Sequence, residues 1–196
     1  DEVIDVIAKN EKIARSLHLP LQAGSSTILK AMNRGYTKEQ YIALANKIKE
    51  RIPGVALTAD VIVGFPGETE EDFQDTLDVV RQIQFENSFM FMYSIRKGTK
   101  AATMENQIDE AVKKDRLQRL IDVQTACSLA ESKTYVGKTF RVLVEGESKK
   151  NKEVLSGRTS TNKIVLFKGD KALEGTFVNV KINDCKTWTL YGEIVE

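Results

Sequence analysis

The sequence predicts an α/β module followed by a small five-stranded β-barrel. Three observations point to this. Over residues 1–134, strand-like and helix-like apolar periods alternate, as βαβ units require. From Tyr135 onward the period falls to two, and Gly, Asn, Asp and Lys punctuate five short runs. The charge shifts at the same place, from 18 basic and 20 acidic side chains in residues 1–134 to 11 and 8 in residues 135–196. A chain of 196 residues is long enough to build two cores, so the expected domains are 1–134 and 135–196.

In the first module, "RSLHLPLQ" (15–22) alternates as a short strand and "AGSS" closes it. A helical stretch to about Asn33 follows. "TKEQ" then reads as a capping box at Thr37, with Tyr41, Leu44, Ala45 and Ile48 striping the helix that "PG" (53–54) ends. "VALTADVIVGF" (55–65) is the second strand, and Thr69 with Asp72 marks the next helix start. "SFMFMYS" (88–94) is the third strand, expected to be buried on both faces, and a long helix covers about Asp109 to Lys133. Three strands make neither a closed barrel nor a comfortable open sheet, so the module reads as half of a larger one. The second module supplies "TFRVLVE", "VLSGR", "KIVLF", "TFVNVKI" and "TWTLYGEIV", enough for a Greek-key barrel of OB size.

Composition narrows the function. No apolar run reaches the roughly 18–20 residues that cross a bilayer, and the acidic start "DEVIDVIAKN" lacks the marks of a signal peptide, so no membrane partner is expected. Two cysteines, Cys127 and Cys185, fit a reduced cytoplasmic compartment and exclude both a disulfide framework and a cysteine-rich metal site within this chain. No metal site and no catalytic side chain is assigned. The absence of an initiating Met suggests a start inside a longer protein.

In α/β folds ligands sit at the carboxyl ends of parallel strands. Three loops lie at such ends: "PLQAGS" (20–25), "GFPGET" (64–69) and "YSIRKGT" (93–99). Gly64 and Gly67 permit a positive φ or a close ligand, Pro66 stiffens the bend, and the helix start behind them favours an anion. Turn chemistry explains any one of these loops; all three on one edge suggest a site. Glu68 reads equally well as a residue compensating the helix dipole. Arg96 can clamp a carboxylate or phosphate, or be a solvated loop arginine. His18, the single histidine, has neither a metal partner nor a nucleophile at useful spacing and reads as a packed strand residue. Ser148–Lys168 holds six basic residues, Lys149, Lys150, Lys152, Arg158, Lys163 and Lys168, against one acidic residue, Glu153, interleaved with Ser, Thr and Asn. On a small barrel this pattern suits RNA, although it also describes a solvated face.

"HLPLQAGSSTILKAMNRGYT", "TADVIVGFPGETEEDF" and "YSIRKGTKAATM" resemble, in order, successive segments of the radical S-adenosylmethionine methylthiotransferases, and the tail resembles their TRAM domain. The resemblance covers nearly the whole chain. It implies the second half of a partial (βα)6 radical SAM barrel over 1–134 and a TRAM RNA-binding domain over 135–196. It further implies transfer of a methylthio group to carbon 2 of isopentenylated adenosine beside the anticodon. The branch acting on threonylcarbamoyladenosine, or a noncatalytic RNA-binding module, are the alternatives.

The implied cofactors are S-adenosylmethionine and two [4Fe-4S] clusters, whose ligands lie outside this chain, so the isolated chain is expected to be inactive. The implied partners are the tRNA anticodon stem-loop and a donor system for sulfur and electrons. By the same resemblance Gln22, Ser25, Ile62, Gly64, Tyr93 and Arg96 face S-adenosylmethionine or substrate, with Ile62 near the adenine. Lys149, Lys150, Arg158, Thr159, Asn162 and Lys163 line the tRNA edge. Ala23 and Lys100 stand where relatives often carry Ser and Pro, and the three-cysteine cluster motif is missing.

Overall fold

The computed structural model describes residues 1–149 and 151–196. Its contacts divide the chain into two compact units. One comprises Leu17–Arg51 with Leu57–Cys127, and the other Asp1–Ser16, Ile52–Ala56 and Ser128–Glu196.

The first unit is built on a three-stranded sheet in the order β1 (Ser16–His18), β2 (Ala56–Val63), β3 (Asn87–Met92). The β2–β3 pair is parallel, with Val61 opposite Met90 and Val63 opposite Met92. β1 is shorter than the expected 15–22 because Pro20 has no N–H to give the ladder. Pairing resumes beyond it as a parallel bridge between Gln22 and Val61.

Helices α2 (Ser26–Ala31), α3 (Lys38–Arg51), α4 (Glu70–Ile83) and α5 (Glu110–Lys133) follow. Their starts are written locally. Thr37 N–H donates to Gln40 Oε1 at 2.9 Å while Gln40 N–H reaches Thr37 Oγ1 at 3.3 Å. At α4, Thr69 and Asp72 form the reciprocal capping box. Leu57, Ala59, Val61 and Val63 on one face of β2 are buried, as are Phe73, Leu77 and Val80 of α4. α5 is pinned to β3 by Gln124, which accepts from Ser88 Oγ at 2.8 Å and donates to the Phe85 carbonyl at 2.9 Å.

The opposite face of this sheet is open. Phe89 and Phe91, expected to be buried, are 54% and 51% exposed. Every second residue of β3 points away from the helical layer, and among the described residues of this unit nothing covers that side. His18 shares the open face and is not a packed strand residue. Its ring lies 2.9 Å from Thr58 Oγ1 and 3.3 Å from Asp60 Oδ2, with Phe89 edge-on at 6.2 Å.

In the other unit, α1 (Glu2–Lys9), which the sequence did not reveal, is anchored by Arg15 donating to the Ile7 and Ala8 carbonyls. The rest is a closed barrel in the order β4 (Thr139–Glu147), β5 (Leu155–Arg158), β6 (Ile164–Phe167), β8 (Thr189–Val195), β7 (Phe177–Cys185). β6 and β8 are parallel and the other pairs antiparallel, the OB arrangement. Its core is Val142, Val144, Leu155, Val165, Phe167, Val180, Ile182 and Leu190, with Tyr135 at one end. Register shifts at Val144/Gly146 and Ile182/Asp184 supply the bends that closure needs. Among the described residues no helix is long and apolar enough to cross a membrane.

Gly24 is where the first strand-end loop meets α4. A Cβ built there would lie 2.3 Å from Thr76 Cα, and the Gly24 N–H donates to Thr76 Oγ1 at 2.9 Å. Gly24→Ala is therefore expected to lower the free energy of unfolding by about 1–3 kcal/mol or more, the usual cost of overpacking. Gly35→Ala, where no atom lies within 4 Å, should not. Urea titrations followed by far-ultraviolet circular dichroism compare the two.

Candidate functional site

The three strand ends share one rim. Gln22 N–H donates to the Asp60 carbonyl and Ile62 N–H to the Gln22 carbonyl, both at 2.8 Å, while Tyr93 N–H donates to Val63 O at 2.8 Å. Gln22, Ile62 and Tyr93 thus stand side by side at the mouth of a cavity of about 790 Å³, with Phe65, Met32 and Arg96 also in its wall. Phe65 and Tyr93 in its wall belong to an apolar cluster with the buried Ala23, Ile28 and Leu29. The Phe65 and Tyr93 rings meet edge-on at 5.3 Å. The Tyr93 hydroxyl is shielded from solvent without a hydrogen-bond partner among the described residues.

Four of the six expected cofactor residues, Gln22, Ile62, Tyr93 and Arg96, line this cavity. Ser25 and Gly64 do not. Ser25 is buried, caps α2 by accepting from Ile28 N–H at 3.5 Å, and donates to Asp72 Oδ1 at 2.5 Å. Gly64 has φ +73° and makes room for a side chain rather than a ligand, since a Cβ there would lie 2.2 Å from Lys113 Cγ.

In the loop ahead of α4 some backbone donors are already used. Glu68 turns inward and accepts from Gly64 N–H at 2.7 Å and Phe65 N–H at 3.3 Å, so those donors are spent inside the loop. Burial raises the Glu68 pKa, opposed by the Arg116 guanidinium 3.1 Å away and by the two backbone donors. Thr69 and Asp72 are engaged with each other.

Several wall residues gave no sequence signal. Met32, Asn33 and Arg34 reach the cavity because the chain reverses after the short α2, with Asn33 at φ +59°. Tyr36 then ties this segment to the first strand end, donating to Leu21 O at 3.0 Å and Pro20 O at 3.2 Å. Arg116 was equally hidden, because its partner Glu68 is 48 residues away.

On the barrel, Lys149 is exposed, and Lys150 lies outside the described residues. Arg158 is part-exposed, gripping Glu145 at 3.1 and 3.2 Å and Asn162 Oδ1 at 2.9 Å. Asn162, at φ +67°, makes the turn. Thr159 and Lys163 depart from the expected RNA edge, being 6% and 4% exposed. Thr159 N–H donates to Lys163 O, and Lys163 N–H to Thr159 Oγ1, both at 3.1 Å, so the turn folds back on itself. Thr159 Oγ1 also meets Thr161 Oγ1 at 2.8 Å, which meets the Tyr135 hydroxyl at 3.0 Å. Lys163 Nζ lies 5.8 Å from the Tyr135 ring centroid, and burial lowers its pKa to about 8.

The donor sets can be matched to the groups the resemblance implies. An adenine nucleoside fits the cavity, which offers aromatic and aliphatic walls and a carboxamide. An iron–sulfur cluster does not fit these residues. Cys127 is buried, with its thiol pKa pushed up by burial, and Cys185 belongs to the other unit. Among the described residues no three His, Cys, Asp or Glu side chains are grouped to hold a metal.

Comparison with known proteins gives the family. Residues 1–80 match the Radical SAM superfamily and residues 133–195 the TRAM domain. The chain belongs to the radical SAM proteins that carry a TRAM domain. Along its whole length it is similar to enzymes named tRNA-2-methylthio-N(6)-dimethylallyladenosine synthase. It is 74% identical to that of Fusobacterium nucleatum and 52% identical to that of Alkaliphilus oremlandii. It spans 45% and 42% of those relatives, less than half their length. The fold is also similar to a solved structure titled as the radical SAM enzyme coproporphyrinogen III oxidase (HemN) from Escherichia coli. That match has a TM-score of 0.51 at 16% identity and covers 74% of this chain and 41% of that one.

Lys163 gives the barrel a pH signature. Its pKa is about 8 when folded, against an ordinary 10.5, so between those values the unfolded state binds more protons and stability rises with pH. Tyr135 faces it, and burial raises the pKa of that phenol. Cys185 is the other titratable group beside it. From about pH 8 to 9.5, unfolding followed by the single Trp188 should show stability climbing by up to about 1 kcal/mol per pH unit. Lys163→Met is expected to flatten that slope; an unchanged slope would overturn the assignment to Lys163.

Proposed function

We propose that these residues form part of a tRNA methylthiotransferase that modifies carbon 2 of dimethylallyladenosine beside the anticodon. The observation that carries the reading is the shared rim of three strand ends around one nucleoside-sized cavity, in a chain similar throughout to enzymes of that name.

When bound, S-adenosylmethionine with an iron–sulfur cluster supplies the radical needed at an unactivated C–H. The residues here hold and shield. Ile62 and Phe65 provide apolar surface for the adenine, Gln22 hydrogen-bonds the nucleoside, and Arg96 offers a cation to a carboxylate or phosphate. Ser25 and Gly64 act at one remove, fixing the two loops against Asp72 and Lys113. The thiolates for both clusters, and the docking of the sulfur and electron donors, belong to polypeptide other than these 196 residues. The barrel contributes the grip on the anticodon stem-loop through Lys149, Lys150, Arg158 and Asn162, in the cytoplasm. The open sheet face, with Phe89, Phe91 and His18, is the side on which the substrate base approaches.

The decisive measurement is the 2-methylthio content of tRNA nucleosides from cells with and without the full-length gene. Loss of the methylthio group from dimethylallyladenosine is expected on deletion, and unchanged content would overturn the assignment. Within the full-length protein, Gln22→Ala removes the rim carboxamide. It should weaken S-adenosylmethionine binding about threefold to tenfold, the worth of one hydrogen bond. Equilibrium dialysis reads the change.

A further inference from the structure

The single tryptophan of the chain is not absorbed by the proposed machinery, and it is 55% exposed. Burying an indole is ordinarily favourable, so a rigidly displayed one calls for a partner. The display here is rigid. Lys186 N–H donates to Thr189 O at 2.8 Å and closes a tight turn between β7 and β8. Ser132, itself fully buried, donates to the Thr187 carbonyl at 2.8 Å and pins the turn from behind.

The surroundings give the chemistry of that partner. Lys186 stands two residues from Trp188, its ammonium 5.8 Å from the Tyr191 ring. The parallel register, with Ile164 opposite Thr189, sets Trp188 beside the Thr159–Lys163 turn and hence near Arg158 and Asn162. The acidic groups nearby are engaged: Glu145 holds Arg158, and Asp184 accepts from Cys185 N–H at 2.8 Å. In the OB order this turn joins the fourth and fifth strands, and the basic segment with Lys149 and Lys152 joins the first and second. Those two loops flank the oligonucleotide face of OB barrels. An exposed indole on a turn that also carries Lys186, with a basic loop flanking the same face, suits an unpaired base with its phosphate.

We propose that Trp188 stacks an unpaired nucleobase of the RNA, with Lys186 on the adjoining phosphate. This rests on the RNA-binding reading of the barrel and adds a residue and a contact type to it.

The tryptophan is its own probe. The 196-residue chain is titrated with a tRNA anticodon stem-loop while Trp188 emission is recorded. Affinity is measured separately by anisotropy of a label on the RNA. Expected are saturable quenching, about tenfold weaker binding by Trp188→Ala, and near-normal binding by Trp188→Phe, which keeps a stacking face. Circular dichroism checks that these surface variants stay folded. Normal wild-type binding with unchanged emission and undiminished affinity in Trp188→Ala would overturn the stacking role and leave RNA binding standing. No binding by the wild-type chain would remove both. Self-association of the chain that Trp188→Ala abolishes, with RNA affinity intact, would give the surface to a protein contact instead.

Discussion

The carboxylate of Glu68 holds the first unit's site together. It accepts from the N–H groups of Gly64 and Phe65 and pairs with Arg116 of α5, whose Nη1 also donates to the Glu68 carbonyl at 3.1 Å. Both partners are about 5% exposed. Charges taken so far out of water are tolerated only when paired and hydrogen-bonded, and losing one partner typically costs about 3–5 kcal/mol. The pair locks the end of β2 to the start of α4 and to α5. Phe65 is thereby fixed against Tyr93, and with it that wall of the cavity. Arg116 and Arg119 lie over the Phe73 ring at 5.7 and 4.7 Å, and both reach Glu70, which extends the lock along α4.

The two units treat their sheet edges and faces differently. The barrel closes, so every strand is paired on both sides, and glycine and bulges turn its corners. The parallel sheet buries one face under helices and leaves Phe89, Phe91, Ile62 and the His18–Asp60 pair accessible on the other. Parallel sheets in α/β proteins are normally covered on both faces. A chain that spans less than half of its relatives and leaves such a face open is consistent with a sheet that belongs to a larger barrel.

What the sequence made legible was local. Capping boxes at Thr37 and Thr69 depend on residues three apart, and the switch from βα alternation to a period of two marked the barrel strands within a few residues. The strand ends followed from the turn residues that close them, whereas Gln22, Ile62, Tyr93 and Arg96 became candidates through the family resemblance. Longer-range pairings were invisible. Nothing near Glu68 announces Arg116, and nothing in "GFPG" announces that Lys113 will fill the space over Gly64. Direction misled in three places. Thr159 and Lys163 sit in a turn whose sequence is polar, yet the Asn162 reversal carries their side chains into the barrel end. His18 was assigned to packing because alternation alone cannot say which face of a sheet is covered.

Gln22 is held at the rim in an uncommon backbone conformation. Its backbone is at φ +71°, a region that costs a non-glycine residue on the order of 1 kcal/mol or more. Two hydrogen bonds to β2, from its N–H and to its carbonyl, force that conformation, and the neighbouring Leu21 and Ala23 are buried and immovable. Glycine at this position would make the same two backbone bonds without strain. The carboxamide is what glycine lacks. It is 8% exposed and lines the cavity. The conformation thus sets a polar side chain, rather than a bare backbone, beside the space between Ile62 and Tyr93.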